Sequence, residues 1–181
     1  MKSVILLGSS RKHGHSHQIA EELSRYLEAD SLDLLDFNIG HYDYTFRNQE
    51  DDFISLLRDI TDRYQRIIFI TPVYWYTMSG LMKVFFDRIT DGLKVAPELG
   101  EAMKGMHMAA IAVGSDPDPI EGFFVPFRLT APYMEMKYDG DTFVWMEEGM
   151  AISAECTRRL REFAASLQKS PKSILPSNDQ P

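Results

Sequence analysis

The chain has one cysteine, Cys156, among 181 residues. A disulfide within the chain is therefore excluded, and this usage suits a reducing compartment such as the cytoplasm. No apolar run approaches the roughly 20 residues that cross a bilayer, so no membrane partner is expected. The start lacks the apolar core of a secretion signal: Lys2 is followed by only four strongly apolar residues, Val4 to Leu7. Basic residues are in deficit, with 19 Lys and Arg against 27 Asp and Glu and a net charge of -8. That balance argues against a broad nucleic-acid footprint. The sequence carries no internal repeat. What remains is a chain of single-domain length, large enough to bury a full core without covalent staples.

One short stretch stands out from the acidic background. Residues 3–7 (SVILL) form an apolar run too short for a buried helix and branched enough for an interior strand. The next ten residues, Gly8 to His17, hold two Gly, three Ser, two cations and three His. Ile19, Leu23, Tyr26 and Leu27 then recur at helical spacing, which predicts a helix from about Ser16 to Ala29 with Ser16 as its N-cap. A strand, a polar loop with glycines and a helix start make an anion cradle, because loop N–H groups and the positive end of the helix dipole converge there. Residues 8–16 read as a phosphate-binding loop, with Arg11 and Ser16 as its main contacts and Lys12 and His13 solvated.

Strand and helix patterns alternate along the rest of the chain. Further strands are expected at Ser31–Asp36, Arg66–Thr71, Met106–Gly114 and Thr142–Trp145, the last preceded by a turn at Gly140. Phe37–Arg47 is best left as loop, and Asn48 is the candidate cap of a helix carrying Phe53, Leu56, Leu57, Ile60 and Tyr64 as a core stripe. Helices are further expected from about Ser79 to Thr90, along Ile120–Ala131 and along Cys156–Leu167, with Asp91–Gly105 as an excursion. The ordered domain is placed at residues 1–168; residues 169–181 have no period and are expected to be disordered. This pattern argues for an α/β fold, a five-stranded, parallel, doubly wound sheet. In such sheets the ligand lies beyond the carboxyl ends of the strands. The loops there are Gly8–Ser16, Pro72–Met78 and Gly114–Pro119, the three least ordinary in the chain.

Several ligands are a poor match. The nucleotide loop GxxxxGK[ST] is missed, since His15 stands where its Lys is needed and no strand ends in an Asp placed to hold magnesium, the strand Arg66–Thr71 running into Pro72. The dinucleotide pattern GxGxxG fails on the spacing of Gly8 and Gly14. His13, His15 and His17 alternate in a loop with no nearby Cys or carboxylate, so no metal site is assigned. Tyr74-Trp75-Tyr76 adds three large aromatics at the ligand-bearing end. Such residues usually enter a core, but in this loop a planar ring is their natural partner. One phosphate plus one flat ring describes a mononucleotide such as FMN.

At these residues the sequence resembles the NADPH-dependent FMN reductases, a flavodoxin-like family related to iron–sulfur flavoproteins and NAD(P)H:quinone reductases. Gly8, Ser9, Arg11 and Ser16 match a motif similar to GSxRxxxxT. Thr71 to Arg88 (TPVYWYTMSGLMKVFFDR) matches one similar to sPvYwgsmsgxlKxfiDR. The resemblance implies a flavodoxin-like sheet of order 2-1-3-4-5 and FMN as cofactor, with NADPH or NADH as reductant. It implies that Ser9, Arg11, Ser16 and His17 hold the phosphate, with His15, where the family often has Asn, counted among the cofactor-binding residues. Pro72, Val73, Tyr74, Trp75 and Tyr76 would line the ring, largely through backbone amides, with Gly114 and Ser115 completing the site. No catalytic side chain is implied, because the flavin performs the chemistry. Phe37–Arg47 contains no Cys, so no iron–sulfur cluster is expected. The implied acceptor is a small molecule such as a quinone, free flavin or azo compound; the alternative is a flavodoxin-type electron carrier. Family members form homodimers or homotetramers, for which Met78, Phe85, Phe86 and Asp91–Gly105 offer interface surface.

Overall fold

The structure is a computed structural model that describes residues 1–146 and 151–169. Five parallel strands form one sheet: β1 (Ser3–Leu7), β2 (Asp30–Asp33), β3 (Arg66–Pro72), β4 (His107–Gly114) and β5 (Lys137–Trp145). Their order is β2-β1-β3-β4-β5, as expected. The helices are α1 (His15–Leu27), α2 (Phe53–Arg63), α3 (Gly80–Lys94), α4 (Pro97–Met103), α5 (Val125–Tyr133) and α6 (Ala154–Gln168). Side chains alternate across each strand, so β1 sends Ile5 and Leu7 to one face and Val4 and Leu6 to the other. Ile19 and Leu23 of α1 and Leu160 and Phe163 of α6 cover the first face. The second face lies under α2 to α5, where Phe53, Phe69, Phe85 and Phe127 meet. Both faces are therefore apolar, which is why β1, β3 and β4 read as continuous hydrophobic runs.

Several expected boundaries shift, each for a local reason. Helix α1 begins at His15, with Gly14 and not Ser16 at the N-cap; the Gly14 carbonyl accepts from the amides of His17 (3.1 Å) and Gln18 (3.2 Å). Strand β2 stops at Asp33, whose carboxylate accepts from Leu35 N at 2.9 Å and starts a 3₁₀ turn over Leu34–Asp36. Asn48 does not cap α2; Asp52 occupies that place, and Asp51 accepts from Phe53 N at 3.0 Å. The 91–105 excursion divides into the last turn of α3, which runs on to Lys94, and α4. Helix α5 starts at Val125, after a turn at Gly122 (φ +78) and with Pro126 in its first turn. Gly140 is no turn but lies inside β5, where Met108 pairs with Tyr138 and Ala109 with Gly140. Asp139 is the extra residue of that bulge, and its carboxylate takes Arg66 Nε at 2.6 Å and meets His107 Nδ1 at 2.7 Å. Met78 and Phe85 are core residues and offer no interface surface, while Phe86 is half-buried against the same core. The expected tail from residue 170 onward lies outside the described residues.

Candidate functional site

The first loop leaves β1 at Gly8 under tight constraint. Gly8 N donates to Ile70 O (2.9 Å), and Gly8 O accepts from Ser79 Oγ (2.6 Å). A Cβ on Gly8 would lie 2.9 Å from Met82 Cβ, so glycine is the residue that fits. Ser79 also accepts from Met82 N at 3.1 Å, capping α3, while its own N donates to Thr71 Oγ1 at 3.0 Å. One buried serine thus joins the loops after β1 and β3. Beyond it, Ser9 is buried and accepts from Arg11 N at 3.3 Å.

At the start of α1, Gly14 provides no side-chain cap and no acidic residue occupies the first turn. The helix therefore presents its first amides and its positive end without a local anion. A Cβ at Gly14 would come within 3.3 Å of Arg11 Cβ, so the glycine lets Arg11 fold over the helix start.

These groups border a cleft of about 530 Å³ at the carboxyl ends of β1, β3 and β4. It brings together Ser9, Arg11, His15 and Ser16 from the first loop, Pro72, Val73 and Tyr74 from the second, and Gly114 and Ser115 from the third. The uncapped helix start and Arg11 fit a phosphate, and the volume suits a cofactor-sized ligand. His13, Gly14, Gln18, Val113 and Met146 line it as well. Met146 follows β5 directly, so the strand order itself was the signal that placed it there.

Three expected residues fall elsewhere. His17 turns to the opposite flank of α1, with Nδ1 3.4 Å from Glu21 Oε1 one turn on. Trp75 and Tyr76 lie outside the cleft, 91% and 73% exposed. Their backbone explains this: φ is +49° at Trp75 and +66° at Tyr76, in a tight turn closed by Tyr74 and Thr77. That turn tips both side chains into solvent. The amides also differ from expectation, because Val73 N donates to Val113 O (2.9 Å) and Tyr74 N to Thr77 O (3.0 Å). Of this loop's expected backbone donors, Trp75 and Tyr76 are the ones not engaged in this way.

Comparison with known proteins places this geometry in context. The family model for NADPH-dependent FMN reductases matches residues 1–121. A Bacillus subtilis (strain 168) protein, YwqN, whose assigned name is that of an NAD(P)H-dependent FMN-containing oxidoreductase, is 29% identical over 150 residues, 77% of this chain and 82% of its own. General stress protein 14 of the same organism is 28% identical over 133 residues, 66% of this chain and 69% of its own. Among solved structures, the Trp repressor binding protein from Bacillus subtilis superposes with a TM-score of 0.73 at 24% identity, over 94% of this chain and all of that one. General stress protein 14 from Treponema denticola, solved in complex with FMN, gives 0.60 at 17% identity, over 92% and 96%. Among the described residues no helix is long and apolar enough to cross a membrane.

Proposed function

The chain belongs to the NADPH-dependent FMN reductase family and is an FMN-dependent NAD(P)H oxidoreductase; we propose that its acceptor is a quinone, a free flavin or an azo compound, reduced in the cytoplasm. The observation that carries the site assignment is the convergence of an uncapped helix start, Arg11 and two strand-end loops on one cleft. Arg11, Ser9, Ser16 and His15 would hold the FMN phosphate, together with the first amides of α1. Pro72, Val73 and Tyr74 would wall the ring on one side, and Gly114 and Ser115 on the other. When bound, FMN supplies the redox chemistry itself, accepting hydride from the nicotinamide and passing electrons to the acceptor. The chain's work is to position it. N–H groups of Trp75 and Tyr76 would donate to a polar ring edge, which would favour added negative charge there. The exposed side chains of the same two residues form a rim for the exchanging substrates. We further propose a homodimer or homotetramer, supported by Val125, Leu129 and Tyr133, which lie one turn apart along α5 and are all exposed.

Rapid anaerobic mixing tests this reading. NADH or NADPH should bleach the bound flavin directly, and turnover with menadione should be ping-pong. Reduction by dithionite but by neither nicotinamide would point to an electron carrier.

A further inference from the structure

Two wholly buried hydroxyls, those of Thr71 and Ser79, stand behind the flavin cleft without bordering it. A buried hydroxyl is costly unless its hydrogen bonds are made. These are made on the backbone of the loops that carry the site. Thr71 Oγ1 accepts from Ser79 N at 3.0 Å and donates to Pro72 O at 3.1 Å. It thereby pins the two residues that flank 73–78. Ser79 Oγ donates to Gly8 O at 2.6 Å and accepts from Met82 N at 3.1 Å. Gly8 directly precedes Ser9, and Pro72 opens the second wall of the cleft. The two hydroxyls therefore set the register between the phosphate loop and the loop after β3.

What lies between the pins is a tight turn. Tyr74 and Thr77 exchange backbone hydrogen bonds at 3.0 and 3.2 Å, which leaves Trp75 and Tyr76 at the tip. Their rings lie in solvent, so the tip gains no packing of its own. Its place is set from the ends: by Val73 N on Val113 O (2.9 Å), by Met78 in the core, and by the hydroxyl pair. Val73 and Met78 fasten the turn to the sheet and the core beneath it. The link to Gly8 is the hydroxyl pair's own contribution. A cofactor whose phosphate is held at Arg11 and whose ring edge meets the tip spans both loops. A shift of one loop against the other then lengthens the hydrogen bonds at the ring edge. Such bonds weaken steeply once distance or angle leaves the usual range.

We propose that Thr71 and Ser79 are positioning residues for flavin reduction: by clamping residues 73–78 and tying them to Gly8, they hold the Trp75 and Tyr76 amides where these favour the reduced, more negative ring. The inference rests on the reading of those two amides given above. Its test is the midpoint potential of FMN bound to wild type, Thr71→Val, Thr71→Ser and Ser79→Ala. NMR spectra of the wild-type Trp75 and Tyr76 amides, with and without FMN, accompany it. Val keeps the shape of Thr and removes the hydroxyl; Ser keeps the hydroxyl. Relative to oxidised FMN, Thr71→Val should bind reduced FMN about tenfold more weakly than wild type does, a fall of about 30 mV in the two-electron potential. Ser79→Ala, which cuts the link to Gly8 and keeps the clamp from Thr71, should lower the potential as well. Thr71→Ser should hold the wild-type value. A role in stability alone would lower the melting temperature and weaken both redox forms equally, and potentials unchanged in Thr71→Val and Ser79→Ala would overturn the inference. If Thr71→Val does not fold, Ser79→Ala carries the same readout, its fall supporting the inference and its constancy overturning it. A Thr71→Ser potential as low as that of Thr71→Val would assign the effect to packing and also overturn it. Trp75 and Tyr76 signals that move on FMN binding, with potentials unchanged in the variants, contradict the positioning role alone. Signals that do not respond to FMN contradict the ring-edge reading together with it.

Discussion

Two irregular stretches leave the sheet at the same end, and both are rich in aromatics: residues 37–52 after β2 and residues 73–78 after β3. They are held in opposite ways. The first is fastened from beneath by Arg88 of α3, whose side chain is completely buried. Its guanidinium donates to the carbonyls of Gly40 and Asn48, each at 2.9 Å, to both carboxylate oxygens of Asp51, and through Nε to Asp91 at 2.8 Å. Tyr44 and Phe46 then each pack edge-on against Tyr42. The second stretch has no such anchor at its tip. Trp75 and Tyr76 sit in the left-handed region with their rings in water, a conformation that costs about 1–2 kcal/mol per residue. Aromatic content does not separate a scaffold loop from a site loop. A buried cation with a full set of acceptors marks the scaffold, whereas a positive φ does not separate the two stretches, since Phe46 (φ +52) shares it with Trp75 and Tyr76.

Breaking the anchor should have the largest effect. Arg88→Met leaves Asp51 and Asp91 buried without their cation, which should cost about 3–5 kcal/mol of stability. Urea unfolding checks this, and FMN affinity of the remaining folded fraction should change little. A large loss of FMN affinity with stability intact would mean that the two loops are one unit.

A pH series sharpens the same point at smaller scale. Burial opposes the charge of Asp51, but Arg88 and the amides of Phe53 and Gly40 outweigh it, so its pKa lies below the ordinary value. A depressed folded pKa means that the contribution is present above the unfolded value, about 4, and is lost as pH falls through the folded one. Wild-type stability should therefore drop on acidification below about pH 4, and Asp51→Asn should be less stable at neutral pH with a flatter acid limb. Parallel acid limbs would remove Asp51 from the account.

The smallest effect is expected at the strained tip. Tyr76→Gly relieves the positive φ but gives the unfolded chain more freedom, so the net gain should be no more than about 1 kcal/mol. Thermal unfolding measures it. Destabilisation by more than that would show that the exposed ring makes contacts the comparison denies it.

Much of the fold was legible because β1, β3 and β4 are covered on both faces and carry unbroken apolar runs. The end of β2 and the start of β5 were not legible, since each turns on one side chain. Asp33 chooses Leu35 N over the ladder, and Asp139 bulges toward Arg66 and His107, partners remote in sequence. In the site, the three loops and the residues Arg11 and Ser16 could be read from the strand–loop–helix pattern, while Ser9, His15, Pro72–Tyr74 and Gly114–Ser115 were implied by the family resemblance, and the structure brings all of them to one cleft. Residue type told what Trp75, Tyr76 and His17 are able to contact. It did not tell which way a positive φ or a helix flank would turn them.

Titration of FMN and riboflavin against wild type and Arg11→Ala tests most directly whether the opening loop binds the phosphate and not the ring. A hydrogen bond to a charged group is worth about 1.5–3 kcal/mol, and about 1.4 kcal/mol is tenfold. Arg11→Ala should therefore weaken FMN binding by roughly 10- to 150-fold and leave the affinity for riboflavin, which has no phosphate, unchanged. An equal loss for both flavins would contradict the account.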